Sequence, residues 1–171
     1  MKSPKISIIV AVDEKRGIGK NNKIPWHIKE DLVRLAKMTR NRIVILGRRT
    51  YESMAGYYDR SGRPMPAKEY IIVTSKNDFK SARNNTYAAQ SIEYALKRAK
   101  KSGGEEVFII GGSEIFNQAI SRADKIYLTL VKGDFNCDTF FPDYKKFNKV
   151  VYSEEGTSGE LDFEFRILEK V

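Results

Sequence analysis

The stretch RIVILGRRTYESM, residues 42–54, contains the alternation on which the fold of this chain depends. Its first five residues are mostly apolar and β-branched, which is typical of a buried strand. Gly47 ends that strand, and the residues after it predict a short helix over 48–54. A strand followed by a glycine and a helix is the repeating unit of α/β proteins with parallel sheets.

The same alternation recurs along the whole chain. Further strands are predicted at 5–12, 70–74, 87–89, 106–110 and 125–131, and further helices at 29–40, from the N-cap Ser91 to about 101, and at 114–121. The last two strand-like segments, 150–154 and 163–169, have no helix between them, so we expect an antiparallel hairpin. The predicted fold class is α/β with three layers: a mainly parallel central sheet of about eight strands, with helices on both faces.

Length and composition restrict the class of protein. A chain of 171 residues with 41% hydrophobic residues is expected to form one globular domain over residues 1–171. No apolar run approaches the roughly 20 residues of a membrane span, and residues 5–12 are too short for a secretory signal. We therefore expect a cytoplasmic protein without membrane contact. A single cysteine, Cys137, and a single histidine, His27, predict neither an internal disulfide nor a metal site.

The formal net charge of +9 allows two interpretations. It can be a lysine-rich solvated surface, or it can attract anionic ligands such as nucleotides or nucleic acid. The basic residues are spread along the chain and form no nucleic-acid-binding motif. A basic nucleic-acid-binding protein is therefore kept only as an alternative of a different class, and no nucleic-acid partner is expected.

Three predicted strands end in residues suited to phosphate. In an open α/β sheet, ligands bind beyond the carboxyl ends of the strands. These ends carry Gly47-Arg48-Arg49-Thr50, Thr74-Ser75-Lys76 and Gly111-Gly112-Ser113. Each alone could be a tight turn or an exposed charge, and the full dinucleotide fingerprint is absent. Together they favour a ligand with several phosphates, held by hydroxyls, cations and helix N-termini.

Asp31 is the candidate for chemistry. It shares one face of the helix at 29–40 with Leu32, Leu35 and Met38. A carboxylate on an apolar face needs a hydrogen-bonding partner or a ligand. The alternative is a favourable interaction with the helix dipole, because Asp31 lies in the first turn. Trp26, the only tryptophan, is either a core residue or a ligand contact.

An ordered set of motifs resembles the dihydrofolate reductase family over nearly the whole chain. The matching pieces are Ile18-Gly19, Pro25-Trp26, Asp31-Leu32, Val44-Ile45-Leu46-Gly47-Arg48, Thr50-Tyr51-Glu52-Ser53, Arg63-Pro64-Met65-Pro66, Ile110-Gly111-Gly112-Ser113-Glu114-Ile115-Phe116, Leu128-Thr129 and Asp138-Thr139-Phe140-Phe141-Pro142. Any one of these peptides could occur by chance, whereas their order and spacing are highly specific.

The resemblance implies reduction of dihydrofolate to tetrahydrofolate with NADPH. Hydride would move from nicotinamide C4 to pterin C6, and a proton would go to N5. The implied catalytic residues are Asp31, Trp26 and Thr129. Asp31 would bind the N3 and 2-amino edge of the pterin, Thr129 would share its hydrogen-bond network, and Trp26 would help to hold a water near the pterin.

The resemblance also implies the binding residues. Substrate would contact Asp31 and Thr129 together with Ile9, Val10, Ala11, Ile24, Leu32, Leu35, Met54, Arg63, Lys68 and Ile110. NADPH would contact Ala11, Gly17, Ile18, Gly19, Lys20, Asn22, Lys23, Gly47, Arg48, Arg49, Thr50, Thr74, Ser75, Lys76, Gly111, Gly112, Ser113, Glu114, Ile115 and Phe116. Residues 17–23 would form a mobile lid, and a cis peptide would join Gly111 to Gly112.

Three residues depart from the family pattern. Lys68 replaces an arginine that grips the glutamate of folate, and lysine lacks the planar two-pronged donor. Phe116 replaces a common tyrosine, and Glu114 replaces a basic residue whose charge Lys76 can supply. Lys68 leaves open a reductase of another pterin, and a reductase of a riboflavin-pathway pyrimidine is a weaker alternative. Antifolate inhibitors are expected ligands, and a monomer is the expected state.

Overall fold

The computed structural model describes residues 2–76, 79–81 and 83–171. Within these residues the chain forms ten strands and four helices. The strands are β1 (Lys5–Asp13), β2 (Gly17–Gly19), β3 (Ile43–Gly47), β4 (Glu69–Val73), β5 (Thr86–Ala89), β6 (Glu106–Ile109), β7 (Lys125–Val131), β8 (Thr139–Phe140), β9 (Lys149–Ser158) and β10 (Leu161–Glu169). The helices are α1 (Lys29–Thr39), α2 (Arg48–Ser61), α3 (Ile92–Lys101) and α4 (Ser113–Ala119).

Eight strands form the central sheet in the order β5-β4-β3-β6-β1-β7-β10-β9. The pairs from β5 to β7 are all parallel, and β10 is antiparallel to both β7 and β9. This confirms the predicted mainly parallel sheet with an antiparallel C-terminal hairpin. Because six strands are parallel and adjacent, their carboxyl ends meet at one edge of the sheet.

The helices cover both faces of the sheet. On one face Ile8 and Val10 pack in a core with residues of α3 and α4. On the other, Val44 and Leu46 pack against Tyr51 of α2. Alternate residues of each strand therefore belong to different cores, and the predicted three layers are confirmed.

Helix α2 is longer than the sequence pattern predicts. It continues from residue 48 to Ser61, so Gly56 lies inside the helix and not in a loop. The apolar residues at helical spacing, Met54 and Tyr58, pack against the sheet on the α2 side. Their burial outweighs the roughly 1 kcal/mol that glycine costs in a helix interior. Gly62, with a φ of 70°, ends the helix in the left-handed conformation.

Two short strands were not predicted from the sequence, and the first of them lies in a stretch whose glycines, asparagines and proline predict a loop. β2 lies within residues 13–27 and pairs with β8, with Gly17 opposite Phe140 and Gly19 opposite Thr139.

Ser91 caps α3 as predicted, because its Oγ accepts a hydrogen bond of 3.2 Å from the Tyr94 N–H. None of the helices in the described ranges is long and apolar enough to cross a membrane.

Candidate active site

Asp31 and Thr129 meet across two elements of the fold. Asp31 lies in the first turn of α1, and Thr129 lies on β7 beside Ala11 of the central strand β1. The buried Thr129 hydroxyl donates a hydrogen bond of 2.6 Å to Oδ1 of Asp31. Among the described residues, no donor reaches the second carboxylate oxygen of Asp31. That oxygen is therefore available to a ligand, and the side chain does more than interact with the helix dipole.

The surroundings of Asp31 have opposing effects on the pKa of its carboxyl group. Burial raises the pKa of the Asp31 carboxyl above its ordinary value, while the Thr129 hydrogen bond and the positive charge of Arg34 lower it in part. The net result is a raised pKa. A carboxylate that has lost much of its water gains most from a ligand that donates hydrogen bonds to it.

Trp26 is a buried residue next to this pair in the fold. Its ring packs edge-on against Phe135, with 5.2 Å between centroids. The same cluster contains Ala11 and Phe165, and Phe165 lies directly opposite Thr129 in the β7–β10 ladder. The structure therefore brings the three predicted catalytic residues to the same part of the sheet.

The apolar residues predicted for substrate binding divide into two groups. Ile9, Met54 and Ile110 are partly buried against the core on the α2 face. Leu32 and Ile24 expose 38% and 62% of their surface. Exposed large apolar side chains, here with Leu32 adjacent in sequence to the partly buried Asp31, are typical of a binding cleft.

The other predicted substrate residues differ in burial and in the face of the sheet on which they lie. The Val10 side chain belongs to the core on the opposite face, so only its main chain faces the candidate site. Leu35 is partly buried on α1. Arg63 and Lys68 are exposed, and neither forms an ion pair with a described residue. The Lys68 backbone is fixed immediately before β4, because its N–H donates to the Arg42 carbonyl at 2.9 Å.

The predicted lid is anchored at β2 and closed by a turn. Gly17 and Gly19 are buried in β2, Ile18 is partly buried, and the residues that follow are exposed: Lys20, Asn21, Asn22 and Lys23. The two lysines exchange backbone hydrogen bonds of 2.8 and 3.0 Å across the turn. Asp138, to which the sequence analysis assigned no role, accepts from the Asn21 N–H at 3.0 Å and donates its own N–H to the Gly19 carbonyl. Backbone hydrogen bonds therefore join residues of the predicted lid to each other and to Asp138.

The start of α2 is suited to an anion. The helix begins after Gly47 with no side-chain cap and no acidic residue in its first turn. Arg48 donates through Nε to Glu52 at 2.8 Å, whereas its Nη1 is buried and has no hydrogen-bond partner among the described residues. Arg49 is exposed and donates to Asn22 in the lid at 3.3 Å. An unpaired buried cationic donor beside free helix N–H groups fits a phosphate group.

A second predicted phosphate segment adjoins the first. The cis peptide Gly111-Gly112 separates β6 from α4, as the resemblance implies. The Gly47 N–H donates to the Gly111 carbonyl at 2.7 Å. The Thr50 hydroxyl lies so close to both glycines that an added Cβ would stand 3.4–3.5 Å from it. Two of the three predicted strand ends, at Gly47 and at Gly111-Gly112, are therefore in direct contact.

The remaining cofactor candidates differ in exposure. Ser113 is partly buried and Glu114 is exposed at the start of α4, whereas Ile115 and Phe116 are buried core residues. Phe116 packs edge-on against Phe141 with 5.0 Å between centroids. The third strand end, Thr74-Ser75-Lys76, follows β4, and the Lys76 N–H donates to the Thr74 hydroxyl at 3.2 Å. Ser75 and Lys76 are exposed to solvent.

Asp13 is an organising residue that the sequence analysis did not single out. It ends β1 and is only 1% exposed. Oδ1 accepts from the N–H groups of Lys15 and Gly17 at 2.9 and 2.7 Å, and Oδ2 accepts from Phe135 at 3.1 Å. One carboxylate thus joins the base of the lid to the segment that carries the packing partner of Trp26. In the sequence, Asp13 could have been recognised as a carboxylate at the end of a predicted buried strand.

Replacing Asp13 with alanine is expected to lower the free energy of unfolding by about 3–5 kcal/mol. Three backbone N–H groups would lose their acceptor, of which that of Gly17 is buried and those of Lys15 and Phe135 are partly buried. A buried donor without a partner costs about 1–3 kcal/mol, and a partly buried one costs less. Urea denaturation measures the change. Glu160→Ala, an exposed carboxylate in the β9–β10 turn, is the matched control. A loss in Asp13→Ala no larger than in the control would contradict this role.

Comparison with known proteins agrees with this geometry. The family model described as dihydrofolate reductase matches residues 5–170. Dihydrofolate reductase of Bacillus subtilis strain 168 is 38% identical, with 96% of this chain and 94% of the relative covered. That of Staphylococcus haemolyticus is 37% identical, with 98% and 96% covered.

A solved structure agrees as well. Dihydrofolate reductase from Enterococcus faecalis, complexed with NADP(H) and RAB-propyl, has a TM-score of 0.80 and 30% sequence identity to this chain. The match covers 98% of this chain and 97% of that structure. Sequence and fold therefore agree over the same length, and the chain belongs to the dihydrofolate reductase family.

Proposed function

We infer that this protein reduces 7,8-dihydrofolate to 5,6,7,8-tetrahydrofolate with NADPH, in support of one-carbon and thymidylate metabolism. Dihydrofolate, NADPH and one proton give tetrahydrofolate and NADP⁺. The observation that carries this function is the Asp31–Thr129 pair, with one carboxylate oxygen held and the other available. Family membership from residues 5 to 170 supports the same reaction.

Asp31 orients the substrate. Its carboxylate accepts hydrogen bonds from N3–H and the 2-amino group of the pterin, which places the ring in one orientation. Thr129 fixes the carboxylate for this task by donating to Oδ1. Because charge-assisted hydrogen bonds are about twice as strong as neutral ones, an ionised Asp31 binds this edge best.

The proton reaches N5 separately from the hydride. Asp31 binds the edge of the ring away from N5, so an ordered water is the proton donor that we propose, with Trp26 helping to hold it. Bound NADPH supplies the hydride for pterin C6. The lid, residues 17–23, covers this site and excludes bulk water, as catalytic lids do.

Different groups of predicted cofactor residues bind different parts of NADPH. The N-terminus of α2 and the unpaired buried Nη1 of Arg48 bind phosphate, and Arg49 and Thr50 extend that site. Residues 74–76, at the next strand end, bind the 2′-phosphate that distinguishes NADPH from NADH. Gly111 and Gly112 let the cofactor approach the main chain, because neither carries a side chain.

The inferred activity is tested by mixing the protein with NADPH and dihydrofolate. The expected result is loss of the reduced-nicotinamide absorbance, with tetrahydrofolate formed in equal amount. Absorbance loss that does not depend on dihydrofolate would contradict the inference. A steep salt-dependent affinity for random duplex DNA without reductase activity would favour the nucleic-acid alternative.

Lys68 decides between dihydrofolate and another pterin as the preferred substrate. Replacing Lys68 with arginine is expected to lower KM for dihydrofolate about 3- to 10-fold, because a planar guanidinium binds a carboxylate with two parallel hydrogen bonds. A dihydropterin without the glutamate tail serves as the control, since its KM is expected not to change. Equal changes for both substrates would contradict a role in glutamate recognition, and equal turnover of both by the unaltered protein would favour the pterin alternative.

The organisation of the protein is part of the same proposal. We expect residues 1–171 to behave as a single-domain, cytoplasmic monomer that binds antifolates. Light scattering coupled to gel filtration measures the mass, and an antifolate should raise the temperature of unfolding. A stable dimer would contradict the proposed state.

A further inference from the structure

Arg34 lies one helical turn after Asp31. Positions three apart in a helix are neighbours on its surface, so the two side chains lie on the same side of α1. The guanidinium carbon of Arg34 lies 4.2 Å from the centroid of the Phe165 ring. This is within the range of a cation–π interaction. The stacking fixes the position of a cation close to the candidate catalytic carboxylate.

The ring beneath Arg34 is part of the same framework as Thr129. Phe165 on β10 stands directly opposite Thr129 on β7. It is buried and packs against Phe163, with 4.9 Å between centroids. One pair of strands therefore carries both the hydroxyl that binds Asp31 and the ring that supports Arg34. Both groups contact side chains of α1, the hydroxyl at Asp31 and the ring at Arg34.

The charge of Arg34 is not neutralised by a carboxylate partner. No ion pair within the described ranges includes Arg34. Its field reaches the carboxylate of Asp31 and the phenols of Tyr127 and Tyr152. Burial and the neighbouring Glu106 raise the pKa of Tyr127, and a hydrogen bond to Glu154 raises the pKa of the exposed Tyr152, so both phenols remain neutral at pH 7.

The other elements around Asp31 bring neutral groups. β7 contributes the Thr129 hydroxyl, β1 contributes Ala11, β10 contributes Phe165, and Trp26 precedes the helix. On α1 itself the neighbouring charges of Lys29 and Glu30 are exposed to solvent, where water screens them. Among the described residues, Arg34 is the charged group whose field acts on Asp31.

We propose that Arg34, stacked on Phe165, is a positioning residue that keeps the Asp31 carboxylate ionised for the arriving pterin. The proposal rests on the inferred reductase activity, in which Asp31 accepts hydrogen bonds from the substrate. Burial alone favours the protonated carboxyl, which offers a weaker acceptor. A positive charge one turn away offsets part of that effect without contacting the substrate.

The test is the pH dependence of kcat/KM for dihydrofolate. In Arg34→Gln the transition that reports Asp31 is expected to move to higher pH by roughly 0.5–1 unit, because removal of a nearby cation raises the pKa of a carboxyl. Arg34→Lys keeps the charge and should return the transition toward its original pH. High salt should move the profile of the unaltered protein in the direction of Arg34→Gln.

The Asp31→Asn background supplies the decisive control. There, Arg34→Gln should leave the pH profile of the residual activity unchanged. The proposal is overturned if Arg34→Gln does not move the transition, or if it moves it equally in the Asp31→Asn background. It is also overturned if Arg34→Lys behaves like Arg34→Gln.

Thermal unfolding without substrate separates this proposal from the inferred reaction. The raised pKa of Asp31 means that the folded state binds its proton more tightly than the unfolded state. Stability is therefore lost as pH rises from the ordinary carboxyl pKa through the folded one. In Arg34→Gln this loss should extend to higher pH, and in Asp31→Asn it should be absent. If stability changes with pH in this way but the protein does not reduce dihydrofolate, the inferred reaction is contradicted, whereas the electrostatic interaction between Arg34 and Asp31 is supported.

Discussion

Replacing Asp31 with asparagine is expected to lower kcat/KM for dihydrofolate by about 10²- to 10³-fold, because it weakens two hydrogen bonds from the pterin to a charged group, each worth about 1.5–3 kcal/mol. Asparagine has nearly the same shape, and its carbonyl can still accept the Thr129 hydrogen bond. Its amide group, however, donates hydrogen bonds where the pterin also donates them. The variant therefore loses both the charge and one acceptor, and steady-state kinetics measures the result.

Two controls show whether the loss of activity comes from the Asp31 carboxylate itself or from a change in surface charge or stability. Glu30 is an exposed carboxylate in the same first turn of α1, and Glu30→Gln should keep full activity. Unfolding of Asp31→Asn at pH 7 should require at least as much free energy as that of the unaltered protein, because a partly desolvated charge has been removed. Activity above about a tenth of the original value would exclude Asp31 from the role given to it.

The order of strands and helices could be predicted because the local signals were strong. Apolar, largely β-branched runs mark strands such as β1, β3 and β4, and Gly47 marks the end of β3. Ser91 marks a helix start with a hydroxyl that does cap it. The signals failed where tertiary packing opposed them. The helix predicted over 48–54 continues through Gly56 to Ser61, because Met54 and Tyr58 are held against the sheet.

β2 and β8 carried no signal that could predict them. One is a three-residue strand with two glycines, and the other has two residues. Their pairing depends on contacts between segments more than a hundred residues apart, such as Gly17 with Phe140. Periodicity within a segment contains no information about such contacts.

The residues of the candidate site also divide into those that the sequence could identify and those that it could not. Asp31 was conspicuous because a charge interrupted an apolar helical face, but its partner Thr129 lies 98 positions away and was assigned only through the family resemblance. Asp13 and Arg34 were not singled out. Asp13 resembles the first polar residue of a loop, and only the fold brings three N–H donors to it. Arg34 resembles an ordinary surface charge until Phe165 is placed beneath it.

Replacing Arg48 with alanine is expected to raise KM for NADPH about 10- to 100-fold and to change kcat little. A hydrogen bond from a charged group contributes about 1.5–3 kcal/mol, which corresponds to this range. Nη1 of Arg48 is buried without a partner among the described residues, so a phosphate can accept from it without displacing a protein group. Steady-state kinetics with varied NADPH measures the change.

Two variants of the same helix separate phosphate binding from general effects. Arg60→Ala removes an equal charge from the exposed far end of α2 and should leave KM unchanged. Glu52→Gln breaks the ion pair with Arg48 but keeps the arginine, so it should raise KM far less than Arg48→Ala. An equal rise in Arg60→Ala would show that net charge acts at a distance and that Arg48 has no special role.

NADH then identifies the phosphate that Arg48 binds. If Arg48 binds the 2′-phosphate, Arg48→Ala should raise KM for NADPH and leave KM for NADH unchanged. If it binds the pyrophosphate, both cofactors should lose affinity by the same factor. The uncapped start of α2, beside Gly111 and Thr50, is suited to either group. Lys76 at the neighbouring strand end supplies the comparison, because Lys76→Ala should impair NADPH alone if residues 74–76 hold the 2′-phosphate.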